Sequence, residues 1–281
     1  MTATEGRLPF RGYETWYRVV GDAEEPDRVP LLALHGGPGG SHDPLEGLGA
    51  LTEQGRHVVL YDQLGGGDSD KPDNPSLWTV ETFVEQLRWV RESLGLERLH
   101  LFGSSWGGML ALEYALTQPG GLASLVLNST PTSAPRWAKE TRRLYDELPS
   151  ALDEKAAQQE FWLRHICRIE PEPEALRRTR AKFGTQVYET MWGPNEFTVT
   201  GTLRDWDVID RLGEIEVPTL ITSGRYDECT PALVEPLHEG IAGSEWVVFE
   251  ESSHTSLLEE PERYLEVIGC FLQRVENHAS A

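Results

Sequence analysis

Six short apolar runs punctuate this chain, most of them separated by enough residues for a helix: VPLLALHG (29–36), HVVLYD (57–62), RLHLFGSS (98–105), LASLVLNS (122–129), VPTLITSG (217–224) and EWVVFE (245–250). Runs this short and this uninterrupted suit strands buried on both faces. Between them, TVETFVEQLRWVRESLGL spaces Phe83, Leu87, Val90 and Leu94 at helical intervals. WGGMLALEYALTQP reads as a helix beginning just after Ser105, and PERYLEVIGCFLQRVE as a closing helix. The pattern predicts an α/β fold, a mostly parallel sheet flanked by helices. An antiparallel edge hairpin is expected in the fifteen or so residues after Arg7, around YETWYRVV.

One interval breaks the rhythm. From about Pro131 to Asp205 the chain is rich in Arg, Glu, Trp and Tyr, helical in pattern, and without a buried-strand run. Its length fits a helical cap (131–205) inserted into a core made of 1–130 and 206–281. Near its end lies GPNEFTVTG (193–201), which opens on a Gly-Pro turn signal and leaves room for at most a short strand.

Composition narrows the class. The 281 residues are enough for one large domain, or a domain plus an insertion. Acids outnumber bases 46 to 25, a formal net charge of −21, which argues against nucleic acid as a partner because phosphate binding needs clustered Lys and Arg. The excess either serves solubility or draws in cationic substrates by long-range attraction. No stretch approaches the roughly 20 apolar residues of a membrane helix, and the N-terminus lacks the apolar run of a secretory signal. Cys167, Cys229 and Cys270 show no CxxC spacing and no even pairing, so neither a disulfide framework nor a zinc site is indicated. A cytoplasmic enzyme needing no cofactor and no metal is the simplest expectation.

The strongest local signal is GSSWGG (103–108), set between an apolar run and a helix. It satisfies G-x-S-x-G with Ser105 central. A nucleophile on so sharp a turn needs small neighbours at 103 and 107 to let the backbone pass. HGGPGG (35–40) follows another strand end, and Gly37 N–H with Trp106 N–H would make a two-donor oxyanion hole. The serine needs a base, and the base an orienting acid. His254 in ESSHTSLLEEPE and Asp227 in SGRYDECTP each follow a predicted strand, and the order Ser105, Asp227, His254 is that of the nucleophile-elbow hydrolases. The plainer readings are a helix cap for Asp227 and a surface-loop histidine for His254.

Other candidates read as structural. His35 is a hydrogen-bonder beside its glycines, Asp62 shapes the YDQLGGGDSD loop, and Asp68 and Asp70 lack the ligand ladder of a calcium site. The cap aromatics, Trp137, Tyr145, Trp162, Tyr188 and Trp192, mostly pack, with one or two left to line a pocket.

HGGPGG, YDQLGGGDSD, GSSWGG, GPNEFTVTGTLRDWD, SGRYDECTP and SSHTSLLEE follow one another as in the proline iminopeptidases of the α/β-hydrolase superfamily. The chain resembles that family over nearly its whole length. Asp227 followed by Glu228 is similar to the branch holding the tricorn-interacting aminopeptidase and bacterial L-amino acid amidases. One departure is Ser104, where relatives often carry Gly or Gln; it flanks the nucleophile and should not remove activity. The resemblance implies Ser105 as nucleophile, Asp227 and His254 as its partners, and Gly37 and Trp106 as oxyanion donors. It also implies that Glu196 and Glu228 grip the free α-amino group of the substrate. Gly36 joins them as a substrate-binding candidate. Physical chemistry agrees, since an ammonium leaving water needs charged acceptors. The alternatives are a salt bridge from Glu196 to Arg178 or Arg204, and a loop-supporting role for Glu228.

The expected partner is thus a small peptide or amino acid amide with a free amine, and the expected activity an aminopeptidase favouring proline. An L-amino acid amidase comes second. An esterase or lactonase would keep the scaffold without needing the paired acids, an acyltransferase would use the same machinery with an amine in place of water, and a silent binding module would not need Ser105.

Overall fold

The computed structural model of the chain describes residues 2–21 and 28–279. Eight strands form one sheet: β1 (Ala3–Phe10), β2 (Tyr13–Val20), β3 (Leu31–Leu34), β4 (Val58–Tyr61), β5 (Leu99–Ser104), β6 (Leu122–Asn128), β7 (Thr219–Gly224) and β8 (Glu245–Phe249). Their order is β1-β2-β4-β3-β5-β6-β7-β8, antiparallel from β1 through β4 and parallel thereafter. The expected α/β architecture is therefore present, with every predicted run on a strand. The central strands are shorter than their apolar runs. At β3, Pro30 lacks an N–H to give the ladder, and the chain turns into the glycine loop after Leu34.

The edge hairpin begins earlier than expected. β1 pairs from Ala3↔Val20 to Phe10↔Tyr13, leaving Arg11 and Gly12 as a two-residue turn, both at positive φ. That turn matches the twist of its strands. ATEGR carries no apolar alternation, because most of this strand is exposed at the sheet edge, so periodicity gave no sign of it.

Strand residues alternate between two cores. Leu32, Leu34 and Leu101 face one side, with α1 (Val80–Ser93) and α2 (Trp106–Leu116). Leu31, Ala33 and Phe102 face the other, with Leu45, Leu48 and Leu51 and the closing helix, which runs Pro261–Ala279. α1 is fixed at its start by Thr79, whose hydroxyl accepts from Thr82 N–H, and it buries Phe83, Leu87 and Val90. α2 is buried almost all round, as befits a helix seated at the middle of the sheet.

Between β6 and β7 run α3 (Ala134–Asp146), α4 (Glu154–Phe161), α5 (Glu174–Ala181) and α6 (Thr185–Met191). α4 passes into a π turn at Trp162–Ile166. Leu144, Leu148, Phe161 and Ile166 make a separate small core with Tyr145, Trp162 and Phe197 around it. These helices are tied to the sheet's loops at several points. Gly184 N–H donates to Gly39 O at 2.7 Å, Arg178 reaches Asp43 at 2.6 Å and also pairs with Glu46, and Lys182 reaches Asp43 at 2.9 Å and Asp68 at 2.8 Å. Among the described residues no helix is long and apolar enough to cross a membrane.

Candidate active site

Ser105 stands between β5 and α2 at φ 55°, ψ −121°. A side chain pays strain there, and the turn is possible only because its neighbours are bare. A Cβ at Gly103 would lie 2.3 Å from Gly107 O, and one at Gly107 would lie 2.3 Å from Leu34 O. Ser105 N–H donates to Asn128 O at 2.9 Å, which fixes the elbow on β6. Because α2 begins at Trp106, its N–H is one of the first-turn donors without an intrahelical acceptor. The Trp106 side chain is buried and its indole donates to Gln63 Oε1 at 2.7 Å. Gly36 and Gly37 border the same cavity as Ser105, and a Cβ at Gly36 would come within 3.2 Å of Ser105 Cβ.

Asp227 lies on the loop after β7, and His254 on the loop after β8. Asp227 Oδ1 is 2.7 Å from His254 Nδ1 and accepts Cys229 N–H at 2.7 Å. An imidazole that gives its Nδ1 proton to a carboxylate presents Nε2 as an acceptor. Burial disfavours the charged imidazole, yet the charge and hydrogen bond of Asp227, with Glu196, raise the His254 pKa above its ordinary 6.5. The edge of Trp137 flanks the ring, centroids 6.0 Å apart. The main chain of the two loops is held from above: the His165 carbonyl, in the π turn, accepts N–H from Glu228 at 3.1 Å and from His254 at 3.3 Å.

GPNEFTVTG forms no strand. It turns back through a single bridge between Asn195 and Thr198, with Asn195 Oδ1 accepting Phe197 N–H at 3.1 Å. Glu196 sits at this turn and borders the cavity, where its Oε1 accepts the Tyr188 hydroxyl at 2.5 Å. Neither arginine weighed as its partner is paired with it: Arg178 binds Asp43 and Glu46, and Arg204 binds Asp205. Glu228 borders the same cavity, nearly fully buried, and its Oε2 has no hydrogen-bond partner. Burial raises the Glu196 carboxyl, against the Tyr188 hydrogen bond, and raises Glu228 well above its usual range, reinforced by Glu196 and Asp227. Carboxyls raised in this way would gain from the approach of a positive charge.

The cavity holding these groups measures about 440 Å³. His35 also borders it, but its Nε2 accepts Gln63 N–H at 2.9 Å, a structural role. Asp62 binds His42 through Nδ1 and backbone N–H, and accepts Asp68 N–H at 2.7 Å, which shapes the loop. Near His42, Asp43 already holds Arg178 and Lys182, leaving little of that acidic cluster for a metal. Of the cap aromatics, Trp162 and Tyr188 border the cavity, in keeping with one or two lining a pocket, while the donation from Tyr188 to Glu196 has no sequence signal beyond their spacing of eight residues. One contributor escapes sequence reasoning altogether. The His165 carbonyl is backbone and leaves no mark in residue type.

The alpha/beta hydrolase fold model matches residues 29–261. The proline iminopeptidase of Clostridium botulinum is 42% identical over 98% of this chain and 99% of its own length. Among solved structures, the proline iminopeptidase of Mycobacterium smegmatis has a TM-score of 0.92 and 37% identity, covering 98% of this chain and 100% of that one. VinJ superposes with a TM-score of 0.92 at 41% identity, over 97% and 99% of the two chains. With its elbow, its acid–histidine pair and relatives matched end to end, the chain belongs to the proline iminopeptidase family of α/β-hydrolases.

Proposed function

We propose that this protein is a serine aminopeptidase that releases an N-terminal residue, proline by preference, from small peptides with a free amine. Ser105 is the nucleophile, His254 the base and Asp227 the group that orients and stabilises the imidazolium. Residues 131–205 act as the cap. In this reading His254 Nε2 takes the Ser105 proton as Oγ attacks the substrate carbonyl. The oxyanion is met by the N–H groups of Gly37 and Trp106, a contribution worth about 10²–10³ in kcat per donor. His254 then gives its proton to the leaving nitrogen, the C–N bond breaks, and water resolves the acyl-enzyme by the same route. Gly36, whose bare α-carbon leaves room beside Ser105, lets the substrate backbone approach.

The observation that carries the reading is the pair of acids, Glu196 and Glu228, on the cavity shared by Ser105 and His254. An ammonium placed between them supplies the charge they lack and fixes the distance from amine to scissile carbonyl. An esterase or lactonase has no use for such a pair. An amino acid amidase uses the same machinery with ammonia as leaving group. The test is hydrolysis of prolyl, alanyl and leucyl peptides and amides, each with its N-acetylated counterpart. Free amines should be strongly preferred and prolyl substrates fastest. Equal rates on blocked and free amines would overturn the reading.

A further inference from the structure

The acyl side of this cavity is rich in anions, and the rest of its wall holds no fixed cation. Of the 25 Lys and Arg residues, all lie in the described part of the chain, and none borders the cavity. α5, which lends Leu176 and Thr179 to the wall, carries Arg177, Arg178 and Arg180, with Lys182 just after it, and each pairs with a carboxylate; Arg177 binds Glu174. Arg178 binds Asp43 and Glu46, Arg180 binds Glu172, and Lys182 binds Asp43 and Asp68. Arg164, in the π turn, binds Glu160. Lys155 lies in a neighbouring groove with Asp153, Glu154 and Gln158; of these only Gln158 also borders the cavity. Burial lowers the pKa of His35, and its Nε2 is occupied as an acceptor, so it brings no positive charge. His254 is the base. The remaining wall is largely apolar, with Phe161, Ile166, Leu176, Phe183 and Leu258 among its members.

A free dipeptide brings an ammonium at one end and a carboxylate only a few bonds beyond the scissile amide. Its ammonium is answered by Glu196 and Glu228. Its carboxylate would meet a largely apolar wall that supplies no side-chain cation to pair with it, where an unpaired charge is disfavoured. We infer that the leaving-group side of this cavity selects an uncharged, apolar amine: a C-terminally blocked dipeptide, an arylamide or another hydrophobic amide of an amino acid, over a dipeptide with a free carboxylate. The inference rests on the amine-anchoring reading, which sets the direction in which the substrate lies.

The experiment measures kcat/KM for Pro-Leu, Pro-Leu amide and N-acetyl-Pro-Leu amide at low and high salt. The free-amine amide should exceed the free acid by at least about tenfold, an energy difference of about 1.4 kcal/mol. That gap should persist at high salt, because screening acts on exposed charges and weakly on enclosed ones. Leu258→Arg and Gln158→Arg each add a guanidinium to the wall and should raise the free acid relative to the amide. Equal rates for acid and amide, with the acetylated substrate inert, would sink this inference and leave amine anchoring standing. An acetylated substrate as good as the free amine would instead sink the anchoring reading. A gap erased by salt would assign the effect to the net charge of −21 and not to the cavity. A gap unchanged in both variants would show that the missing cation is not its cause.

Discussion

Oε1 of Glu228 lies 3.9 Å from Nε2 of His254. Consecutive acids thus flank one imidazole, Asp227 on Nδ1 and Glu228 near the other nitrogen. Burial first, then Glu196 and Asp227, raise the Glu228 carboxyl well above 4.5. A group raised in the folded state contributes stability that is full below its unfolded value and is lost as pH rises through its folded value. Glu228→Gln removes that loss. The variant's Tm should exceed the wild type's at neutral and alkaline pH and converge with it below about pH 4. Its kcat/KM on free-amine substrates should fall about 10- to 100-fold, the scale of a hydrogen bond to a charged group. A variant that loses both activity and stability would refute the idea of an anion held ready for a cation.

The acid limb of activity should lie on the alkaline side of an ordinary histidine. Burial works against the His254 imidazolium, but Asp227 and Glu196 outweigh it and raise its pKa above 6.5. The base must be neutral to act, so kcat/KM rises with pH through that raised value. Glu196→Gln removes one of the raising charges and should move the limb to lower pH. Asp227→Asn should move it further and cut kcat by about 10⁴. A pH profile of kcat/KM for the three proteins checks this, and a limb unmoved by Glu196→Gln would detach Glu196 from the site's electrostatics.

Ser105 holds a backbone conformation that favours glycine. Strain of this kind costs about 1–3 kcal/mol, partly offset in a glycine variant by about 0.5–1 kcal/mol of chain entropy. Ser105→Gly and Ser105→Ala should both be inactive, yet the glycine variant should be the more stable by about 1–2 kcal/mol in urea unfolding. Equal stabilities would mean that the elbow stores no more strain than the entropy term offsets, about 0.5–1 kcal/mol.

Much of this was legible in the sequence for steric reasons. Gly103 and Gly107 had to be glycine for the elbow to close, and the apolar runs had to be continuous because their strands are covered on both faces. Constraints that exclude most residue types leave marks. β1 left none, because an exposed edge strand tolerates almost any side chain. The double acceptor at His165 left none either, because a carbonyl belongs to every residue. Glu196 and Glu228 lie 32 positions apart by their numbering, and no periodicity joins them; only a family resemblance placed them together.

Asp43 shows where the attachment of the α3–α6 segment can be tested. Its carboxylate is buried, which disfavours its charge, but hydrogen bonds from Ser41, Lys182 and Arg178 hold its pKa down to about 2. A depressed carboxyl contributes stability that is present above its unfolded value of 3.8 and is lost as pH falls through the folded one. Asp43→Asn should therefore destabilise the protein at neutral pH, by about 2–4 kcal/mol, with the lower end favoured because Arg178 and Lys182 keep access to solvent. The difference from wild type should shrink as pH falls from about 4 toward 2. Arg178 and Lys182 belong to the segment that lends Leu176 and Thr179 to the cavity wall, so KM should rise more than kcat falls. Urea midpoints across that pH range give the stability, and initial rates at neutral pH give the split. An unchanged midpoint would mean that these ion pairs decorate the α3–α6 segment without anchoring it.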